Sequence, residues 1–249
     1  MNNLLQLLLL SLLGSIVALI GGVIFLYHKK WSQILERNSV PFAAGVLLTV
    51  TLVGLFPEAV ELIGESTYTI VLITFITTYT FEQLFFAIHH HEHKEHDHEH
   101  KSSVIFVIAG DTIHNLIDGI AIGASFFVAP GLGLITAIST FLHEVPHEIG
   151  DFGILLHAGW EKKKIILVNV ISAAITIVGA FSVITFAENE TMIGTLLSVS
   201  AGIFLYLGAS DFLPHIGNGK ERSLKALWPL LIGALVMFTT LMLVPDAHK

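Results

Sequence analysis

The sequence contains no cysteine. That excludes disulfides, thiolate metal sites and cysteine nucleophiles, and it leaves the redox compartment undetermined. Charge is also scarce. Asp, Glu, Lys and Arg make up 13% of the 249 residues, against about 25% in an average soluble domain. The opening Met1-Asn2-Asn3 has neither a basic region nor a small-residue cleavage site. The apolar run behind it is longer than a signal-peptide core, so it reads as a retained helix. What replaces the missing charge is apolar: 53% of residues are hydrophobic and the mean hydropathy is +0.77. These residues come in long runs, the pattern of an all-α polytopic membrane protein that sits in a lipid bilayer. Nothing in the pattern points to nucleic acid. The net charge of −8 says little, because topology places the charges.

Eight apolar segments are expected, near Leu4–Tyr27, Val40–Ile63, Tyr68–Ile88, Val104–Val128, Gly131–His157, Lys164–Ala187, Thr191–His215 and Leu224–Val244. Each has the roughly 20 residues needed to cross a bilayer core. Together they form one transmembrane domain, 1–249. Basic residues fall only in the odd-numbered loops: Lys29, Lys30 and Arg37; Lys94 and Lys101; Lys162, Lys163 and Lys164; Lys220, Arg222 and Lys225. Lys249 stands alone at the end. The positive-inside rule then places every odd loop in the cytoplasm and both termini outside.

The third loop, 89–103, differs in kind. Seven of the twelve residues His89 to His100 are histidine, and Glu92, Glu95, Asp97 and Glu99 are interleaved. Neutral imidazoles bind transition metals, and so polar a tract does not pack a core. It reads as a cytosolic metal chelator or sensor, the alternative being a hydrophilic linker.

Two blocks organise the rest. His114-Asn115-Leu116-Ile117-Asp118-Gly119 lies in the fourth segment, and His143-Glu144-Val145-Pro146-His147-Glu148 in the fifth. Positions i, i+1 and i+4 share a helix face. His114, Asn115 and Asp118 therefore form one stripe, and His143, Glu144 and His147 another. At about 1.5 Å per residue, His114 lies ~15 Å beyond Val104, near the bilayer midplane. Ionisable groups at that depth are costly and usually mark a transport pathway or a cofactor. The alternative is a hydrogen-bond cluster tying two helices together. Facing stripes would offer imidazole and carboxylate to a divalent cation, a ligand set that suits zinc, iron or manganese.

Asp111, Glu148 and Asp151 extend the two stripes, either as an entry or exit relay for a cation or as groups that cap or pair near the helix ends. Pro146 frees the carbonyl of Leu142 and is expected to kink the fifth helix. Gly119, Gly123, Gly150 and Gly153 suit close helix packing. Glu58 and His215 follow prolines near opposite ends of their segments, a placement that suits either the two mouths of a pathway or the membrane interface. Glu82 and Asp211 are further polar residues in apolar runs, and Asn169 has a position from which to turn towards the site. Leu55-Phe56-Pro57-Glu58 in segment two echoes Phe212-Leu213-Pro214-His215 in segment seven. The inferred topology inserts these two in opposite senses, and likewise segments four and five, as an inverted-repeat transporter requires.

The pair His114-Asn115-x-x-Asp118-Gly119 and His143-Glu144-x-Pro146-His147-Glu148-x-Gly150-Asp151 resembles the signature of the ZIP (Zrt-/Irt-like protein) zinc transporters. The branch whose fifth helix reads H-E-x-P-H-E is the most similar, and the eight segments, outward termini and histidine-rich third loop fit it too. The resemblance implies uptake of a divalent metal into the cytoplasm, with zinc as the transported substrate and Fe2+, Mn2+ or Cd2+ as further candidates. It implies that His114, Asp118, His143 and His147 hold a primary ion. Asn115 and Glu144 would serve an adjoining one, Asp118 bridging, and Asn169 stands where some members place an acid. A homodimer and an elevator-like slide are compatible with it, and the short loops suit a plasma membrane.

A rival reading is enzymatic. His143-Glu144-x-x-His147 is formally the H-E-x-x-H of zinc metalloproteases, with Glu144 as general base. Set in a membrane helix, with Asp118 as third ligand, it would make an intramembrane protease. Pro146 disturbs the one-turn spacing that reading needs, and it leaves His114, Asn115 and the histidine loop without a role. The transporter reading is preferred.

Overall fold

Helices make up the secondary structure of the computed structural model, which describes residues 3–90, 99–215 and 227–245, and no strand occurs among the described residues. Residues 91–98 of the histidine tract, the basic residues of the seventh loop and Lys249 lie outside them.

The first expected segment is two helices, α1 (Asn3–Gly14) and α2 (Ile20–Tyr27). Between them the chain turns, with Val17 N–H donating to Leu12 O and Ala18 N–H to Ser15 O. Ser15 Oγ also donates back to Ser11 O at 2.6 Å. Hydropathy is uniform across the break, so the pattern does not reveal it. Next come α3 (Lys29–Thr49), a π-helical turn Val50–Leu55, and α4 (Phe56–Ile63). They are followed by α5 (Ser66–His90), α6 (Glu99–Val128) and α7 (Pro130–His157). Then come α8 (Lys162–Ala173), α9 (Ile175–Ser182) with a 3-10 turn Val183–Phe186, and α10 (Glu190–Tyr206). A second π-helical turn, Leu207–Phe212, leads into α11 (Leu213–His215), and α12 (Leu227–Leu243) closes the described chain.

Local chemistry sets the ends. Gly64 (φ 63°) closes α4 and Gly159 (φ 82°) follows α7. Both lie in the left-handed region that glycine enters without penalty. Asn189 caps α10, its side chain accepting from Met192 N–H at 3.0 Å. Pro130 starts α7, where its missing N–H costs nothing. Pro146 lies inside α7, which runs unbroken through it.

The two π-helical turns bear on the inverted repeat. Each directly precedes one of the echoed Pro sites. Phe56 N–H donates to Thr51 O, and Leu213 N–H to Gly208 O, both five residues back. A helical proline clashes with the carbonyl four residues before it, and widening the preceding turn relieves that clash. The same local solution therefore stands at both halves of the echo.

Four helical stretches are long and apolar enough to cross a membrane: Arg37–Ile63, Val104–Val128, Lys162–Phe186 and Glu190–Phe212. At 25 and 28 residues, α5 and α7 have the length but carry more polar side chains. Large apolar residues face outward, with Ile73, Leu167 and Leu235 at 58%, 59% and 65% exposure. The inner core is built from Leu47, Val50, Leu55, Leu132, Ile135, Leu197 and Phe204. Several hydroxyls in these apolar helices bond back to a carbonyl one turn earlier. Ser125 Oγ donates to Ala121 O at 2.7 Å and Thr136 Oγ1 to Leu132 O at 2.9 Å, as a low-dielectric setting demands.

Glycine sets how α6 lies. A Cβ on Gly119 would fall 2.0 Å from Thr176 O, and one on Gly179 would fall 2.2 Å from Leu116 O. Backbones of α6 and α9 therefore touch, and this contact fixes the rotation of α6 that turns His114 and Asp118 towards α7.

Candidate metal centre

The two sequence blocks meet face to face. His143 Nε2 lies 3.1 Å from Asp118 Oδ2, and His114 Nε2 lies 2.9 Å from Glu144 Oε1. Within α6, His114 Nε2 is 3.8 Å from Asp118 Oδ2. One ligand atom from each of His114, Asp118, His143 and Glu144 lies within 4.8 Å of all the others. Asp118 and His143 have no exposed surface, and Glu144 has 1%.

The spacing suits an ion. Ligands at ~2.1 Å from a tetrahedral zinc stand roughly 3.4 Å apart. The observed pairs, 2.9 to 3.8 Å, bracket that value. Hydrogen bonding does not account for them. His114 Nε2, His143 Nε2, Glu144 Oε1 and both Asp118 oxygens are buried and have no hydrogen-bond partner, so the close approaches lack hydrogen-bond alignment. An orphaned buried polar atom costs about 1–3 kcal/mol. A shared cation would satisfy all of them at once.

The supporting groups are oriented. His143 Nδ1 donates to Ser139 O at 2.9 Å, one turn back in α7. That bond assigns the proton to Nδ1 and leaves the Nε2 lone pair free for a metal. Phe204 of α10 packs edge-on to the His143 ring at 5.3 Å, and Phe212 packs against His147 at 5.1 Å. These rings shield the imidazoles and hold their planes.

His147 and Asn115 lie outside the four-residue cluster. The His147 ring is one turn further along α7, 4.5 Å from that of His114 and 6.1 Å from that of His143. Its Nε2 is buried without a hydrogen-bond partner. Asn115 is engaged elsewhere. Its Nδ2 donates to Asp111 Oδ1 at 2.8 Å and to Asp111 O at 3.1 Å, and its Oδ1 accepts from Thr176 Oγ1 at 2.9 Å. Asn169 is buried and its amide donates to Ile165 O at 2.8 Å. Glu58 is buried in α4, and Glu82 accepts a hydrogen bond from the Tyr206 hydroxyl.

Sequence reasoning missed Thr176, Ser139, Phe204 and Phe212. Each acts through a contact between helices or a backbone carbonyl, and none carries a metal-ligand side chain to single it out.

This geometry gives the protease reading no support. That reading requires His143 and His147 to share one ion, with Glu144 held free as base. Instead Glu144 stands against His114, and His143 against Asp118.

Comparison with known proteins agrees. The family model described as ZIP Zinc transporter matches residues 87–241. Mouse "Zinc transporter ZIP4" is 37% identical over 138 residues, covering 55% of this chain and 21% of the relative. "Zinc transporter foi" of Drosophila melanogaster is 34% identical over 129 residues, 52% of this chain and 18% of the relative. Human "Zinc transporter ZIP10" is 43% identical over 116 residues, 45% of this chain and 14% of the relative. The matched part thus spans about a fifth or less of these relatives' length.

Proposed function

The chain belongs to the ZIP zinc transporter family, an integral membrane family, and from that premise we propose that it carries a divalent transition metal, zinc foremost, across the membrane into the cytoplasm. The ion rests between α6 and α7, held by His114, Asp118, His143 and Glu144. His147 takes over an imidazole contact as the ion moves one turn along α7, and Asn115 borders the site while holding Asp111. Fe2+, Mn2+ and Cd2+ compete for the same nitrogen and oxygen ligands.

The observation that carries this reading is the set of five buried ligand atoms, from four residues on two helices, that approach one another without hydrogen bonding. The wider frame has eight spans, both termini outside and the loop 89–103 in the cytoplasm, in a plasma membrane. It rests on the alternation of basic loops, and the paired π-helical turns support its inverted repeat.

Uptake of radioactive zinc into proteoliposomes tests it. Wild type should accumulate zinc, and His143→Ala should fall to the level of protein-free vesicles. Equal uptake by the two would remove the proposal.

A further inference from the structure

A second group of ligand-type side chains adjoins the first. Asp111, Glu144 and Glu148 each place a carboxylate oxygen within 4.8 Å of the other two. Asp111 precedes His114 by nearly a turn of α6, and Glu148 follows Glu144 by a turn of α7. The helices run in opposite directions, so both residues are displaced towards the same end, where α6 begins at Glu99 and α7 ends at His157.

Two features separate this trio from an ordinary acidic cluster. Glu148 is 2% exposed, and its Oε2 is buried with no hydrogen-bond partner. A buried carboxylate oxygen without a partner is costly unless a cation meets it. Asp111 is also held in place, its Oδ1 accepting from Asn115 Nδ2, while Asn115 is anchored in turn by Thr176 of α9. The amide that the family resemblance would give to a second ion is thus spent on orienting Asp111.

We propose that Asp111, Glu144 and Glu148 form a second, all-oxygen cation position, which an ion occupies after leaving the imidazole-bearing cluster. The proposal deepens the transport reading and rests on it. Glu144 belongs to both clusters, with Oε1 2.9 Å from His114 Nε2, so one carboxylate can pass the ion from one to the other. Three carboxylates with no nitrogen or sulfur suit hard divalent ions such as Mn2+. The position would release a borderline ion such as Zn2+ more readily than the imidazole cluster does, as an exit station requires.

Mn2+ is the probe, because it ranks lowest in the affinity order of imidazole-rich sites such as the tract 89–100. The full chain carrying His143→Ala, with the central cluster disabled, is dialysed against Mn2+ in detergent, and the retained ion is counted by electron paramagnetic resonance. We expect one Mn2+ per chain. Adding Glu148→Gln or Asp111→Asn should abolish it, and adding Glu148→Asp, which keeps an oxygen ligand, should retain it. Asp111 is only half-buried, so Asp111→Asn tests the site even if Glu148→Gln misfolds. An Mn2+ count that neither Glu148→Gln nor Asp111→Asn changes, in chains that elute as folded species, overturns the proposal. Zinc uptake by wild type in the same preparation reports separately on the transport reading. Uptake with an unchanged Mn2+ count removes the trio alone, whereas a lost Mn2+ without wild-type uptake removes transport alone.

Discussion

Thr176 Oγ1 donates a 2.9 Å hydrogen bond to Asn115 Oδ1, joining α9 to the helix that carries His114 and Asp118. The bond sits one turn from the Gly119–Thr176 backbone contact, so the two act together on the rotation of α6. Thr176→Val keeps the shape and removes the donor, leaving the Asn115 oxygen buried and unpaired. The expected loss is about 1–2 kcal/mol of stability and roughly tenfold in zinc affinity, the low end for groups that orient ligands. Thr176→Ser should retain both. Calorimetric zinc titration of the three proteins checks this, and equal affinities would contradict it.

Gly119→Ala should destabilise the protein by about 1–3 kcal/mol, the usual cost of forcing a methyl into a filled contact. Its Cβ would meet the Thr176 carbonyl at 2.0 Å, whereas a Cβ on Gly150 meets nothing within 4 Å. Gly150→Ala is therefore the control, and it should leave the apparent Tm in detergent unchanged or slightly raised. A Tm for Gly119→Ala equal to that of wild type would show that α6 and α9 do not pack so closely.

Metal and proton compete for the same imidazole lone pair. Uptake should therefore fall as the external pH drops through the ordinary histidine range, from about 7.5 to about 5.5. The sign is fixed by chemistry, since a protonated ring nitrogen cannot ligate. A flat profile of initial zinc uptake across that range would count against imidazole ligands.

Replacing residues 89–100 by a glycine-serine linker should leave zinc uptake into vesicles intact. The four ligand residues of the central cluster all lie within α6 and α7, after the tract in sequence. Loss of uptake in a well-folded replacement would place the tract inside the transport path.

The sequence made legible what depends on period. The i, i+1, i+4 spacing put His114 with Asp118 and His143 with Glu144, and both pairs face each other across α6 and α7. Period alone does not fix a helix's rotation about its own axis. Asn115 shares the His114 stripe, yet its amide is drawn to Asp111 and Thr176, because the glycine contact with α9 sets the angle. His147 lies a full turn beyond His143, with its ring 6.1 Å from that of His143 and 4.5 Å from that of His114. Glu148 gave a weaker signal, since one of its two partners, Asp111, comes from another helix. The break between α1 and α2 was invisible because Gly14 and Ser15 lie within an unbroken apolar run, and the close packing of Gly14 against Ile122 and Thr140 is a tertiary contact that the pattern does not carry.

The central claim is that one divalent ion binds between α6 and α7. Diffraction from zinc-soaked crystals at the zinc absorption edge tests it most directly. The expected result is an anomalous peak about 2.0–2.2 Å from the Nε2 atoms of His114 and His143, with oxygens of Asp118 and Glu144 completing the shell. A map with no peak there, and with His143 hydrogen-bonded directly to Asp118, would contradict it.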